Sequence, residues 1–253
     1  MIEMKQFLVT PAAGKRLIAW GMLEHPSIRR VLEGGTLVII AGTTNGYIAE
    51  EILGHLGEDG FDRRGFHRGI IRPPYFRADG TGHEFPGDVV IRRGRWDRGI
   101  TIFDVADELG RGDLILKGAN ALEYSSGRAA VYIGHPMGGT VFPALQAAAG
   151  RKTELIVPVG LEKMIPGDLY SKALRMNSAG TEGPGMLPVP GEVFTEVDAL
   201  RLLAGVDAEP VAAGGVHGAE GAVHLLVDGS EGSLKHAEDI LKRAGMERPY
   251  ADF

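Results

Sequence analysis

Four short apolar runs constrain this chain more than any other feature: TLVIIAG (36–42), DLILKG (113–118), AAVYIGHP (129–136) and TELIVPVG (153–160). None of them alternates apolar with polar residues. Successive strand side chains point to opposite faces, so a run that is apolar throughout marks a strand covered on both sides. Three of the runs hand over to helical spacing. After the first, TTNGYIAEEILGHLG sets Ile48, Ile52 and Leu56 on one helix face; TVFPALQAAAG follows the third and EKMIPGDLYSKALRM the fourth. Strand, turn and helix in repetition favour parallel strands joined by helical crossovers. The expectation is an α/β protein with a doubly wound, mostly parallel, Rossmann-like sheet holding residues 36–41, 114–117, 130–134 and 154–159.

The flanks complete the outline. Residues 14–33 read as two helical pieces divided at Pro26, whose ring breaks the helix ladder, and DVVIRRG reads as a further strand. The stretch AGTEGPGMLPVPGE has linker composition. Beyond it, VFTEVDALRLLAG, AEPVAAGGV, AVHLLVDG and EGSLKHAEDILKRAG read as strand-helix, strand, strand and helix. The division expected is a main α/β domain over 1–180, with an arginine-rich insert at about 57–99, and a small α+β, ferredoxin-like domain over 190–253.

Composition removes several functions. The chain has no cysteine, which excludes disulfides, thiolate metal sites, iron–sulfur clusters and a cysteine nucleophile. A net charge of −6 argues against general nucleic-acid binding. The first twenty residues lack the basic and apolar regions of a signal peptide, and no apolar run approaches the ~20 residues that span a bilayer. A cytoplasmic protein without membrane contact is expected.

Candidate ligand residues cluster in the turns after strands. In AGTTNGYIAEE, Gly42 and Gly46 permit tight backbone, Thr43, Thr44 and Asn45 offer polar side chains, and the free N–H groups of the following helix suit an anion. Turn chemistry alone would also account for these residues. Lys117 ends an apolar strand, where open α/β sheets bind ligands, with Gly118, Ala119 and Asn120 beside it. Just upstream, FDVADELG carries Asp104, Asp107 and Glu108; Asp104 fits either a carboxylate partner of Lys117 or a cap for a helix at Val105–Leu109. GHPMGGT supplies His135 and a second cradle from Gly138, Gly139 and Thr140. His217, Glu220 and His224 match no zinc spacing and read better as a glycine-rich hairpin, so no metal is expected. Residues 61–98 hold nine arginines against five acidic residues, suited to an anion lid, an oligomer contact or a solvated loop of ion pairs.

The segment FDVADELGRGDLILKGANAL resembles the type A ribose-5-phosphate isomerases. Asp104, Ala106, Asp107 and Glu108 match that family's Asp-Gly-Ala-Asp-Glu motif, with Val105 in place of glycine. Lys117, Gly118, Ala121 and Leu122 match its Lys-Gly-Gly-Gly-Gly-Ala-Leu motif, and IIAGTTNGYIAEEI is similar to its phosphate turn. VGLEKMIP is similar to a segment of lactate-utilisation proteins, which share the fold of the wider glucosamine-6-phosphate deaminase, ribose-5-phosphate isomerase and coenzyme A transferase superfamily. The family's base stands in an Arg-Glu-Lys segment; here the chain reads ALEYSSGRAA, with Glu123 the nearest carboxylate.

The resemblance implies an isomerase-like enzyme for a phosphorylated or carboxylated small molecule, needing neither metal nor organic cofactor. Asp104 or Glu123 would move the proton, Lys117 would stabilise the oxyanion, and residues 43–46 would hold the anion. The alternatives are a non-catalytic ligand sensor of the same fold, or an RNA-associated or oligomeric scaffold using the arginines. A homo-oligomer is expected.

Overall fold

The computed structural model describes residues 3–68, 71 and 85–249. Along the chain come β1 (Glu3–Val9), α1 (Pro11–Glu24), α2 (Pro26–Gly34), β2 (Thr36–Ile39), α3 (Thr43–Leu56), β3 (Val89–Arg92), β4 (Arg95–Asp97), α4 (Ile102–Val105), β5 (Leu114–Leu116), β6 (Ala121–Glu123) and β7 (Arg128–Ile133). They are followed by α5 (Val141–Leu145), β8 (Glu154–Pro158), α6 (Leu169–Met176), β9 (Gly185–Val189), β10 (Glu192–Phe194), α7 (Glu196–Ala204), β11 (Asp207–Ala213), β12 (Val223–Gly229) and α8 (Glu231–Ala244). The break at Pro26 is a capped restart. His25 Nδ1 accepts from Ser27 N, and the proline takes the first turn, where its missing N–H costs nothing.

The fold is mixed α/β. A six-stranded sheet runs β10-β8-β5-β2-β3-β4; its first four strands are parallel, and the β3-β4 hairpin is added antiparallel to β2. Leu37, Val38 and Ile39 of β2, Leu114 to Leu116 of β5 and Ile156 and Val157 of β8 are fully buried, as unbroken apolar runs require. α1 packs between α3 and α7, burying Leu17, Ile18 and Met22.

One strand departs from expectation. Residues 128–133 lie outside the central sheet, in a separate antiparallel sheet of order β6-β7-β9. The reason is chain length. Only residues 117–127 separate β5 from β7, and three of them form β6. A parallel return needs a crossover of about a dozen residues or more, normally helical, whereas an antiparallel pair needs only a tight turn. Here that turn is Tyr124–Ser126, closed by Gly127 in the left-handed region (φ 61°).

The ends of the chain meet in a third sheet, β1-β12-β11, with α8 packed on β1 and β12. β10, which follows the glycine- and proline-rich stretch, hydrogen-bonds to β8 in the central sheet. A buried ion cluster ties α8's far end to the main layer: Arg16 of α1 donates to Glu50 and Glu51 of α3 at 2.6 and 2.5 Å and to Glu247 at 2.5 Å. The ring of buried Tyr47 lies under two guanidinium groups, Arg16 at 4.8 Å and Arg63 at 4.3 Å.

Most arginines of the insert are neutralised locally. Arg63 pairs with Glu50 and Glu247, Arg64 with Asp62, Arg68 with Asp88, Arg92 with Asp97 and Glu108, and Arg98 with Glu58. Arg72 and Arg77 lie outside the described residues. Among the described residues no helix is long and apolar enough to cross a membrane.

Candidate functional site

The parallel strands end at one edge of the sheet, and their last residues bring together groups far apart in sequence. The backbone of Lys117 is fixed first: its N–H donates to Ile156 O of β8 at 3.0 Å, while Ile40 N donates to Leu116 O at 3.0 Å. Asn45, in the first turn of α3, is fully buried and clamps the same edge. Its Nδ2 donates to Ile40 O at 2.8 Å and to Leu116 O at 3.1 Å. The turn at 43–46 and Lys117 therefore adjoin. Gly42 caps α3 without a side-chain bond, and Thr43 opens the helix. Gly46 leaves room for the Arg63 loop, since a Cβ there would lie 3.2 Å from that of Arg63.

Two buried polar atoms at this edge have no partner among the described residues: Thr44 Oγ1 and Asn45 Oδ1. Buried polar groups are nearly always satisfied, because leaving one bare costs about 1–3 kcal/mol.

Lys117 itself is largely enclosed, with part of its surface accessible. Burial pushes its ammonium down to about 8; the nearby Asp88 carboxylate opposes this, and Lys163 and Arg68 add to it. Its Nζ donates only to Gly118 O, at 3.3 Å, and it forms no ion pair among the described residues. Asp88 is fully buried at the start of β3, which is antiparallel and so begins at the edge where the parallel strands end. Asp88 Oδ1 accepts from Ala41 N at 2.9 Å and Arg68 Nη2 at 3.2 Å, and Oδ2 accepts from Ile102 N at 2.9 Å.

A second charged group lies beyond Lys163. The 3-10 turn Leu161–Lys163 follows β8, and α7 follows β10. Lys163 Nζ donates to Ala119 O at 2.8 Å, and burial lowers its pKa. Glu162 Oε1 accepts from Lys15 Nζ of α1 at 3.0 Å, while its Oε2 is buried without a partner among the described residues. Glu196 is 3% exposed, and its Oε2 accepts from Leu161 N at 2.9 Å. Its Oε1 rests on bare helix backbone; a Cβ on Gly14 would lie 2.3 Å away. Burial pushes Glu196 up to about 8, and the nearby Glu162 charge adds to that. Glu162 stays below the ordinary range: burial opposes this, but Lys15 and Lys163 outweigh it. Two adjacent carboxyl groups thus differ in protonation at neutral pH, a pattern associated with acid–base sites.

The remaining sequence candidates are placed as follows. Asp104 is exposed in a capping box at α4, accepting from Thr101 N at 2.8 Å and Thr101 Oγ1 at 2.6 Å; these bonds hold its pKa down. The helix it serves is Ile102–Val105, earlier than the one expected from sequence. Glu123 accepts from Leu169 N at 3.0 Å at the start of α6. Asp107 is exposed and accepts from Gln146 at 2.9 Å. Asn120 stitches the β6-β7 hairpin through Tyr132 N at 3.0 Å. His135 is exposed and its Nδ1 accepts from Met137 N at 3.1 Å; Gly138 and Gly139 have positive φ, and Thr140 makes no side-chain cap to α5. His217, Glu220 and His224 belong to the β11-β12 hairpin, and no metal-binding group of three occurs among the described residues.

Sequence reasoning missed Lys15, Asp88, Glu162, Lys163 and Glu196. Of these, Glu162 and Lys163 come after an apolar run as Lys117 does, whereas Asp88 precedes its strand and Glu196 opens a helix. The surface's more open depressions lie elsewhere. One, of about 600 Å³, is a shallow, mainly apolar groove lined by Phe103, Ala106, Phe142, Pro143 and Leu145 with Asp107 and Gln146; another, of about 450 Å³, is lined by Phe85, Pro86, Gly87, Gly99 and Thr101. Neither contains a lysine or a buried carboxylate, so the chemistry points to the strand ends instead. No protein-family model, no curated protein and no solved structure matches this chain.

Proposed function

We propose that this protein binds a small phosphorylated or carboxylated metabolite at the strand ends and moves a proton next to its carbonyl, as an isomerase does. One observation carries the reading: Lys117, without an ion-pair partner among the described residues, follows β5 next to the first turn of α3, where the Thr44 hydroxyl is buried without a partner among those residues. The N-terminus of α3 and Thr44 hold the anionic group, and Lys117 faces the carbonyl oxygen where charge develops. The Rossmann-like and ferredoxin-like readings of the fold belong to the same proposal, supported by the parallel order β10-β8-β5-β2 and by the β1-β12-β11 sheet under α8. A second reading has a specific observation in its favour. Asp104 and Glu123 both spend their carboxylates on helix starts, which suits a sensor that binds without catalysis.

The test is a thermal-shift screen against sugar phosphates and short keto and hydroxy acids, followed by solvent-deuterium incorporation for each ligand that binds. A ligand at 100 times its Kd stabilises the protein by about 2.7 kcal/mol. That shift should shrink in Lys117→Ala, by less than turnover falls where Lys117 is catalytic. Ligands that bind wild type and Lys117→Ala equally would refute the site. Binding without deuterium incorporation would select the sensor.

A further inference from the structure

We propose that Lys117 reacts covalently, its amine forming an imine with an aldehyde or ketone that carries a carboxylate or phosphate. This rests on the reading of the strand-end site and names the substrate class that site takes. The argument is one of missing counter-charge. Lys117 Nζ donates to Gly118 O at 3.3 Å and forms no ion pair among the described residues; there the carboxylate acting on it is Asp88, whose two oxygens are engaged by Ala41, Ile102 and Arg68. Lys163 and Arg68, two further described residues whose charges act on Lys117, are both positive. Lys163 is held in place by its bond to Ala119 O, and Arg68 by its pair with Asp88. An enclosed amine near two fixed cations, without an ion pair among the described residues, favours the neutral nucleophilic form. The same cations attract the anionic group of a substrate, and the Thr44 hydroxyl, without a partner among the described residues, offers it a hydrogen-bond donor.

The step balances without a further reactant. The neutral amine adds to the carbonyl carbon, forming the C–N bond. The resulting oxygen takes one proton from the nitrogen and one from a neighbouring ammonium, and leaves as water. The nitrogen keeps its second proton, so the C=N bond forms directly as the positively charged iminium and the donated ammonium proton leaves in the water. That iminium withdraws electrons from the adjacent carbon and performs the charge stabilisation that the proposed proton transfer requires.

The experiment is reductive trapping. Wild-type protein is incubated at pH 7.5 with pyruvate or with glycolaldehyde phosphate, reduced with borohydride, digested and mapped by mass spectrometry. An amine titrating near 8 is unprotonated roughly two hundred times more often at this pH than an ordinary lysine near 10.4, so Lys117 should be labelled first, by about two orders of magnitude in rate. Lys117→Arg, checked for native circular dichroism, should abolish the single adduct. Labelling scattered over exposed lysines, or concentrated on Lys163, would overturn the inference. If the probes bind, as shown by a thermal shift that Lys117→Ala reduces, and yet leave no adduct, the covalent step is wrong while the binding site stands. If neither probe binds nor labels, both fail together.

Discussion

Lys117→Ala should lower turnover by roughly two to three orders of magnitude, the loss seen when a charge-stabilising donor is removed from an active site. The site's own bonds explain why the loss should fall on kcat more than on KM. The N-terminus of α3 and Thr44, the groups proposed to hold the ground-state anion, persist in the variant. What disappears is the group facing the atom where charge changes, and an interaction felt mainly in the transition state is lost mainly from kcat. The backbone should tolerate the change, since the strand-end bonds of residue 117 are made by its N–H and by Leu116 O. Steady-state kinetics on a substrate returned by the screen, with folding checked by circular dichroism, decides it. A rise in KM at constant kcat would make Lys117 a binding group only. Asp104→Asn is the companion variant: it keeps the size and removes the charge, so a fall in turnover would restore Asp104 as a proton carrier, whereas its bonds to Thr101 support a loss of α4 alone.

Glu196→Gln should change the pH dependence of stability by an amount comparable with a large share of the folding free energy. Glu196 titrates near 8 when folded and near 4.5 in an ordinary environment. Its folded pKa is raised, so the folded state holds a proton that the unfolded chain releases between these values. Stability linked to that proton is fully present below pH 4.5, falls as pH rises, and is lost above pH 8. Glutamine keeps the shape of the neutral acid and has no proton to lose. Measured by urea unfolding at pH 5 and pH 9, the variant should gain roughly 3–4 kcal/mol relative to wild type across that interval. The sign follows from burial against α1 at Gly14 and repulsion from Glu162. A pH-independent difference between variant and wild type would mean that Glu196 is ionised throughout.

How much of this was legible in the sequence differs from element to element. β2, β5 and β8 announced themselves because a strand covered on both faces leaves no polar position, and the run DLILKG or TELIVPVG permits little else. The strand at 128–133 has the same composition and was assigned to the same sheet. Composition reports burial, not partner; the deciding fact was the 117–127 connection, too short and too rich in turn residues for a crossover. β1 carried no such signal: its sequence EMKQFLV mixes charge with apolar residues because one sheet face is open, with Met4 65% and Leu8 49% exposed.

At the candidate site, Lys117 and the turn at 43–46 were visible because each follows an apolar run. Asp88 was not, because its place depends on β3 running antiparallel, so that the start of DVVIRRG meets the ends of its neighbours. Glu196 was hidden for a different reason. It stands just past Thr195 in a sequence that reads as an ordinary helix start, and its burial depends on Gly14, 182 positions earlier. Charge position relative to strand ends is readable from one sequence; which strand ends share an edge is a property of topology.

The claim at the centre of this account is that the ends of β2, β5 and β8 form the binding site, in preference to the open groove between α4 and α5. A crystal structure with a metabolite from the screen bound tests it most directly. The account predicts the ligand's anionic group within hydrogen-bonding distance of the N-terminus of α3 and Thr44 Oγ1, with its carbonyl carbon or oxygen at Lys117 Nζ. A ligand seated instead against Phe103 and Phe142, with Lys117 still bonded only to Gly118 O, would contradict it.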